Sequence, residues 1–249
     1  MLEVTGACKS FSGHPIFSDF HLKVGPGQFK VLVGPSGCGK STLFDGLTGV
    51  TALDRGQMAW NGTAVPDLLE HAAYMQQKDL LLPWFTLMEN SMLPARTGKK
   101  IKDDGAERDM AGRLFQRLGL NGFENHFPGQ VSGGMRQRCA LVRTLMFRRD
   151  LILLDEPLSA LDAITRRGLQ NLLLMLQSDF NKTILMITHD VEEALLLGDE
   201  ICLLGPRPMA VIETFIPALP KPRNFSDPEL TDLKARILMR LEGDIGEPV

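Results

Sequence analysis

The chain has 249 residues, 44% of them hydrophobic and 23% charged, with a formal net charge of -3. That is enough apolar material for one large α/β domain or two small ones, and the slightly acidic balance excludes a basic field that would draw a whole domain onto nucleic acid. Four dispersed cysteines (Cys8, Cys38, Cys139, Cys202) contain no C-x-x-C pair, which argues against a zinc site or a disulfide framework and fits a reducing compartment.

The opening residues MLEVTGACKSF have no basic segment followed by an apolar one, so no secretory signal is expected. FKVLV (29–33), LILL (151–154) and TILMIT (183–188) are short, apolar and rich in branched residues, as strands buried on both faces are. Each is followed by polar or glycine-containing residues and then a helix-like run. This alternation predicts a parallel or mixed sheet covered by helices, with chemistry collected at the carboxyl ends of the strands. Between about 90 and 148 the strand signals stop. A polar linker, TGKKIKDDGAERD, leads into helix-patterned sequence, read as an inserted helical subdomain. After Gly134, the spacing of Met135, Cys139, Val142 and Met146 predicts one apolar stripe on a helix that starts at Ser132-Gly133-Gly134. From Pro217 the chain reads as a strap, LPKPRN, and a capping helix, DPELTDLKARILMRLEG. The longest apolar runs, LLLML at 172–176 and ALLLG at 194–198, fall far short of the ~20 residues of a membrane span.

GPSGCGKS (Gly34, Pro35, Ser36, Gly37, Cys38, Gly39, Lys40, Ser41) follows a predicted strand and, with Thr42, opens a helix-like run. This is the context in which G-x-x-x-x-G-K-[ST] is meaningful: glycines let backbone N–H groups turn around a polyphosphate, and the helix start adds positive potential. Lys40 would reach the terminal phosphates and Ser41 would ligate Mg²⁺. LILLDEP places two carboxylates at the end of an apolar strand, where burying both is costly unless a cation neutralises one. Asp155 is the candidate Mg²⁺ partner and Glu156 the candidate base for an attacking water. THD (188–190) ends the next strand, so His189 is placed beside that pair if the strands neighbour each other and could sense a terminal phosphate. His14, His21, His71 and His126 read as surface residues.

Taken together, the motifs resemble those of ATP-binding cassette (ABC) ATPases over nearly the whole chain: GPSGCGKS as Walker A, LILLDEP as Walker B, SALD (Ser159 to Asp162) as D-loop, THD as switch histidine and VSGGMRQR as signature. Val131 and Met135 depart from the usual Leu and Gln; the apolar anchor and the backbone N–H remain, while the side-chain amide is lost. The resemblance implies a P-loop NTPase (RecA-like) α/β core with an N-terminal antiparallel β subdomain. Core residues are 1–89 and 149–216, the helical subdomain 90–148, and the strap and helix 217–249. It implies Gln77 as Q-loop glutamine, touching Mg²⁺ and the catalytic water, and Phe11 as the aromatic that stacks on adenine. It likewise implies Asp162 as the D-loop aspartate. Ser132, Gly133 and Gly134 are implied to meet the nucleotide across a head-to-tail dimer.

DLLLPWFTLMENSML and the tail LGPRPMAVIETFIPALPKPRN resemble importers of nitrate, sulfonates, taurine and thiamine pyrimidine precursors. That implies ATP as substrate, Mg²⁺, a homodimer of ATPase subunits, two integral-membrane permease subunits, an extracytoplasmic solute-binding protein acting indirectly, no nucleic acid, and a peripheral location on the cytoplasmic face of the inner membrane. Leu82, Pro83 and Trp84 are expected to dock a permease helix. Two alternatives share part of the pattern: an exporter ATPase subunit, and a P-loop kinase acting on a small molecule, which leaves SGGM, SALD and THD unexplained.

Overall fold

A computed structural model of the chain describes residues 1–97, 104–159 and 161–245. Strands β1 (Leu2–Phe11) and β2 (His14–Val24) form an antiparallel pair, and β3 (Phe29–Val33) runs into helix α1 (Lys40–Leu47). Strands β4 (Arg55–Trp60) and β5 (Thr63–Val65) then join the first pair in a four-stranded antiparallel sheet of order β2-β1-β4-β5. β6 (Ala72–Met75) leads to helices α2 (Leu87–Ser91), α3 (Leu93–Thr97), α4 (Asp104–Arg117) and α5 (Gly133–Leu145). Strand β7 (Leu151–Asp155), helix α6 (Ala163–Ser178), strand β8 (Thr183–Thr188) and helix α7 (Val191–Leu197) follow, then β9 (Glu200–Leu204), β10 (Val211–Phe215) and α8 (Pro228–Ile245). The second sheet has the order β10-β9-β3-β8-β7-β6, parallel throughout except for β10.

The uninterrupted apolar runs of the central strands have a direct cause: each side of this sheet carries its own core. Phe29, Val31, Val33, Ile152, Leu154, Ile184, Met186, Ile201 and Leu203 face helices α4 to α8. Their alternates Leu32, Leu151, Leu153, Leu185, Ile187, Cys202 and Leu204 pack with α1 and the antiparallel sheet. A strand has a side-chain period of two, so a strand sandwiched this way must be apolar at every position. Each fully buried Leu or Phe here contributes about 1.5–3 kcal/mol. Lys30 breaks the rule on β3 and is paired with Glu200 at 2.7 Å.

The three strands expected from sequence are β3, β7 and β8, and the phosphate-loop motif joins β3 to α1. Two boundaries differ. α2 begins at Leu87, three residues before the expected change of character, because Thr86 and Glu89 form a reciprocal capping box. α4 begins at Asp104, inside the stretch expected to be a linker; residues 98–103 of that stretch lie outside the described residues. On α5 Cys139, Val142 and Met146 are buried, and Met135 packs half-buried against the same core. His14 and His21 are exposed, whereas His71 and His126 are half-buried, His71 against Trp60. The four cysteines are free thiols.

The tail clamps α7. Arg223 donates to the carbonyls of Leu195 and Gly198 at 2.7 and 2.6 Å, satisfying orphan groups at the helix end. Lys221 bridges Asp199 and Gln177, and Leu230 and Ile237 of α8 enter the core. Among the described residues no helix is long and apolar enough to cross a membrane.

Candidate nucleotide-binding and hydrolysis site

The carboxyl ends of β3, β7 and β8 lie side by side, which brings 34–41, Asp155-Glu156 and His189 to one edge of the sheet. The phosphate loop is held open by its glycines. Gly39 has φ +128°, and a Cβ there would sit 2.5 Å from Ile16 Cγ2. Gly34 has no room either, since its Cβ would lie 2.8 Å from the carbonyl oxygen of Leu204. Gly39 caps α1 without a side-chain bond, and no acidic residue occupies the first turn, so the first amides are left for an anion. Ser36 and Gly37 are exposed, Pro35 and Thr42 half-buried, and Cys38 packs beneath the loop, where burial pushes its thiol up. Lys40 is buried and its Nζ donates to the carbonyls of Gly34 and Pro35 at 2.7 and 2.9 Å. A cavity of about 150 Å³ is lined by Ser36, Gly37, Gly39, Lys40, Ser41, Thr42, Gln77, Glu156 and Arg207.

Asp155 is 2% exposed. Burial pushes its carboxyl up to about 6; a hydrogen bond from the Ser41 hydroxyl opposes the rise and the charge of Glu156 adds to it. Glu156 leaves the strand end at φ +50°, a left-handed conformation uncommon outside glycine. Two expected partners meet it: Gln77 Nε2 donates to Oε2 at 3.1 Å, and His189 Nδ1 lies 3.2 Å from Oε1. Asp155, Glu156, Gln77, His189 and the phosphate loop are therefore gathered within one chain.

The remaining predicted residues stand apart. Phe11 is 48% exposed at the end of β1, with Lys9 Nζ 5.0 Å from its ring centre. Asp162 accepts from the amides of Ile164 and Thr165 at 3.1 and 3.0 Å as the cap of α6, and these bonds hold its carboxyl below the usual range. Ala160 of the same loop lies outside the described residues. Ser132 caps α5 by accepting from Met135 N at 3.3 Å; Ser132 and Gly133 are exposed and Gly134 half-buried. None of the three lines the phosphate cavity.

Three residues escaped the sequence reading. Gln137, buried on α5, donates to the Glu156 carbonyl at 3.0 Å and so ties the signature helix to the strand end. Its i+5 spacing from Ser132 was visible, but its target was not. Asn90 is fully buried and organises the LLPW turn, accepting from Leu82 N and donating to the carbonyls of Leu82, Phe85 and Thr86. Trp84 is thereby held 66% exposed, and Pro83 is exposed beside half-buried Leu82. Arg207 reaches the phosphate cavity from the β9–β10 turn. α5 also grips the segment after Gln77: Arg136 pairs with Asp79 at 3.0 Å, and Arg143 donates to the carbonyls of Asp79 and Leu80.

Residues 17–159 match the family model described as ABC transporter. The aliphatic sulfonates import ATP-binding protein SsuB 2 of Pseudomonas syringae pv. tomato is 39% identical over 233 residues, 94% of each chain. The taurine import ATP-binding protein TauB of Yersinia pestis bv. Antiqua is 40% identical over 213 residues, 86% of this chain and 83% of the relative. Among solved structures, the dimeric ATP-binding cassette MJ0796 in a post-hydrolysis state with ADP and Pi matches with a TM-score of 0.80 and 26% identity, covering 87% of this chain and 98% of the other. With both sheets, the phosphate loop and the gathered carboxylates in place, this chain belongs to the ABC transporter family as one of its ATP-binding ATPases.

Proposed function

We propose that this chain is the ATP-hydrolysing subunit of an importer for a small solute of the nitrate, sulfonate, taurine or pyrimidine-precursor kind, with sulfonates and taurine favoured by its relatives. The observation that carries the catalytic part is the meeting of Gln77 and His189 on the Glu156 carboxylate at the edge of the phosphate cavity. In this reading Phe11 stacks on adenine and the amides of 36–42 with Lys40 hold the phosphates. Glu156 takes the proton of an attacking water that Gln77 orients, and His189 steadies both Glu156 and the terminal phosphate.

The residues present fit Mg²⁺. Asp155 and Ser41 offer adjacent hard oxygen donors, and Asp155 is a buried carboxyl raised by its own desolvation, which a cation would relieve. Gln77 offers an amide oxygen near the same place. Bound with the nucleotide, the ion supplies charge neutralisation at the phosphate oxygens.

Two copies of the chain would close head to tail, with Ser132, Gly133 and Gly134 of each meeting the nucleotide of the other and Asp162 in the loop between them. We assign the core to 1–89 and 149–216, the signature subdomain to 90–148 and the bracing tail to 217–249. Exposed Trp84, on a turn fastened by Asn90 and continuous through Asp79 with Gln77, suits a docking anchor for one of two permease subunits at the cytoplasmic face of the inner membrane. A solute-binding protein would act through the permease. Closure with ATP and reopening after hydrolysis would lever the permeases between their two states.

Uptake of labelled taurine and of a short alkanesulfonate, in cells with and without this chain, tests the reading. Loss of uptake restored by the wild-type chain and not by Glu156→Gln is the expected result. Undiminished uptake of these compounds, nitrate and pyrimidine precursors would overturn the importer assignment.

A further inference from the structure

The β9–β10 turn, residues 205–210, is pressed against the phosphate loop. Leu204 packs on Gly34 so tightly that a Cβ there would meet its carbonyl oxygen at 2.8 Å. Within the turn, after Arg207, buried Met209 donates its N–H to Ile16 O at 2.7 Å, and its sulfur lies 3.7 Å from where a Cβ on Gly39 would be. Gly205 N closes the turn on Ala210 O at 3.0 Å. The backbone is thus fastened on both sides of Arg207, which lines the phosphate cavity with Ser36, Gly37, Lys40 and Glu156. Its charge is felt at Cys38, where burial raises the thiol and Lys40 and then Arg207 oppose the rise. Among the described residues the arginines in ion pairs are Arg136, Arg148, Arg166 and Arg240, so Arg207 has no carboxylate partner there.

We propose that Arg207 is a second cationic anchor for the polyphosphate tail of the nucleotide, acting from the same chain as Lys40. The inference rests on the nucleotide reading above. Lys40 and a helix start together offer less than two positive charges to a tail that carries several negative ones. A guanidinium adds a planar fork matched to two phosphate oxygens, and its delivery from a fastened turn lowers the ordering cost of the contact.

The test is displacement of a fluorescent ATP analogue by ATP, ADP and AMP on wild type, Arg207→Ala, Arg207→Lys and Lys40→Ala, with melting temperatures measured without nucleotide. Arg207→Ala should weaken ATP and ADP about tenfold, equivalent to about 1.4 kcal/mol. AMP should change least, Lys should restore part of the loss, and the nucleotide-free melting temperature should hold. If the Ala variant melts earlier, Arg207→Gln, which keeps most of the stem, takes its place under the same expectation. Lys40→Ala weakening ATP while the Arg207 variants match wild type would overturn the role of Arg207 and leave the nucleotide reading standing. An unchanged affinity in Lys40→Ala would instead sink the nucleotide reading. Unaltered nucleotide affinity with impaired ATP-dependent dimerisation would show that Arg207 faces a partner cassette, which also overturns the inference.

Discussion

Helices α1 and α5 both start at glycine-rich turns, yet they treat their first amides in opposite ways. α1 is capped by Gly39, which has no side chain to offer, and its start lines a cavity walled by residues of the same chain. α5 is capped by the hydroxyl of Ser132 and opens onto an exposed surface. The first helix start keeps its amides open to an anion or to water; the second is already satisfied in part by its own serine. A hydroxyl accepting from Met135 N still has its own proton to donate, so the cap fixes Ser132 in place without using up its capacity to meet a phosphate. One anion-accepting helix start is thus walled in by its own chain; the other lies exposed and, in the proposed head-to-tail dimer, would be completed by a second copy.

The sharpest way to break this comparison is at the α1 side. Glu156→Gln should lower steady-state phosphate release by ~10² or more while MgATP binding persists, because in the proposed mechanism only the proton acceptor is lost. Turnover at the wild-type rate in a contaminant-free preparation would remove Glu156 from that role. On the α5 side, Ser132→Arg should leave ATP binding by the single chain unchanged but abolish the ATP-dependent dimer that Glu156→Gln accumulates. Light scattering of the double variant reads this directly, and a normal dimer would show that the signature turn does not meet nucleotide.

Gln137 joins the two sides, since it reaches from α5 to the Glu156 carbonyl. Replacing it with Ala should cost about 1 kcal/mol in denaturant unfolding and reduce turnover more than ATP affinity. An affinity loss equal to the turnover loss would mean that the link holds the fold rather than Glu156. The smallest effect is expected at Glu193, which accepts from the Thr188 hydroxyl at 2.7 Å beside His189. Burial raises its carboxyl above the ordinary 4.5, and the Thr188 bond opposes the rise. A group raised in the folded state contributes stability that is whole below 4.5 and lost as pH rises through its folded value. Glu193→Gln should therefore flatten the decline of melting temperature with pH just above 4.5, compared with wild type. An identical pH profile would show that Glu193 does not titrate differently in the folded chain.

Much of the α1 side was legible because its determinants are local. A glycine at φ +128°, a lysine after it and an apolar strand before it are set within thirteen residues, 29–41, and strand alternation announces the sheet around them. Glu156 and His189 were also readable, since each directly follows the last residues of a strand. The same reading missed Arg207, Gln137 and Asn90. Arg207 faces a loop some 170 residues earlier, and the turn that carries it looks in sequence like any Gly-Pro-rich connection. Asn90 sits in a run whose Thr86 and Glu89 reveal a helix start, but a buried amide bonding four backbone groups has no sequence pattern of its own. Asp162 reads in sequence as a loop residue and in the fold is also a helix cap, a role to which its position before a helical run points.

By itself, then, the amino-acid order determined the phosphate loop, the buried strands and the identity of the acids at their ends, because backbone conformation and side-chain period are short-range properties. Tertiary structure decided which strand ends are neighbours. The parallel order β8-β7-β6 places His189 and Gln77 on either side of Glu156, and β9 beside β3 carries Arg207 to the phosphate loop. Those meetings depend on which apolar faces bury one another, and burial is non-directional, so no residue's neighbours along the chain announce it.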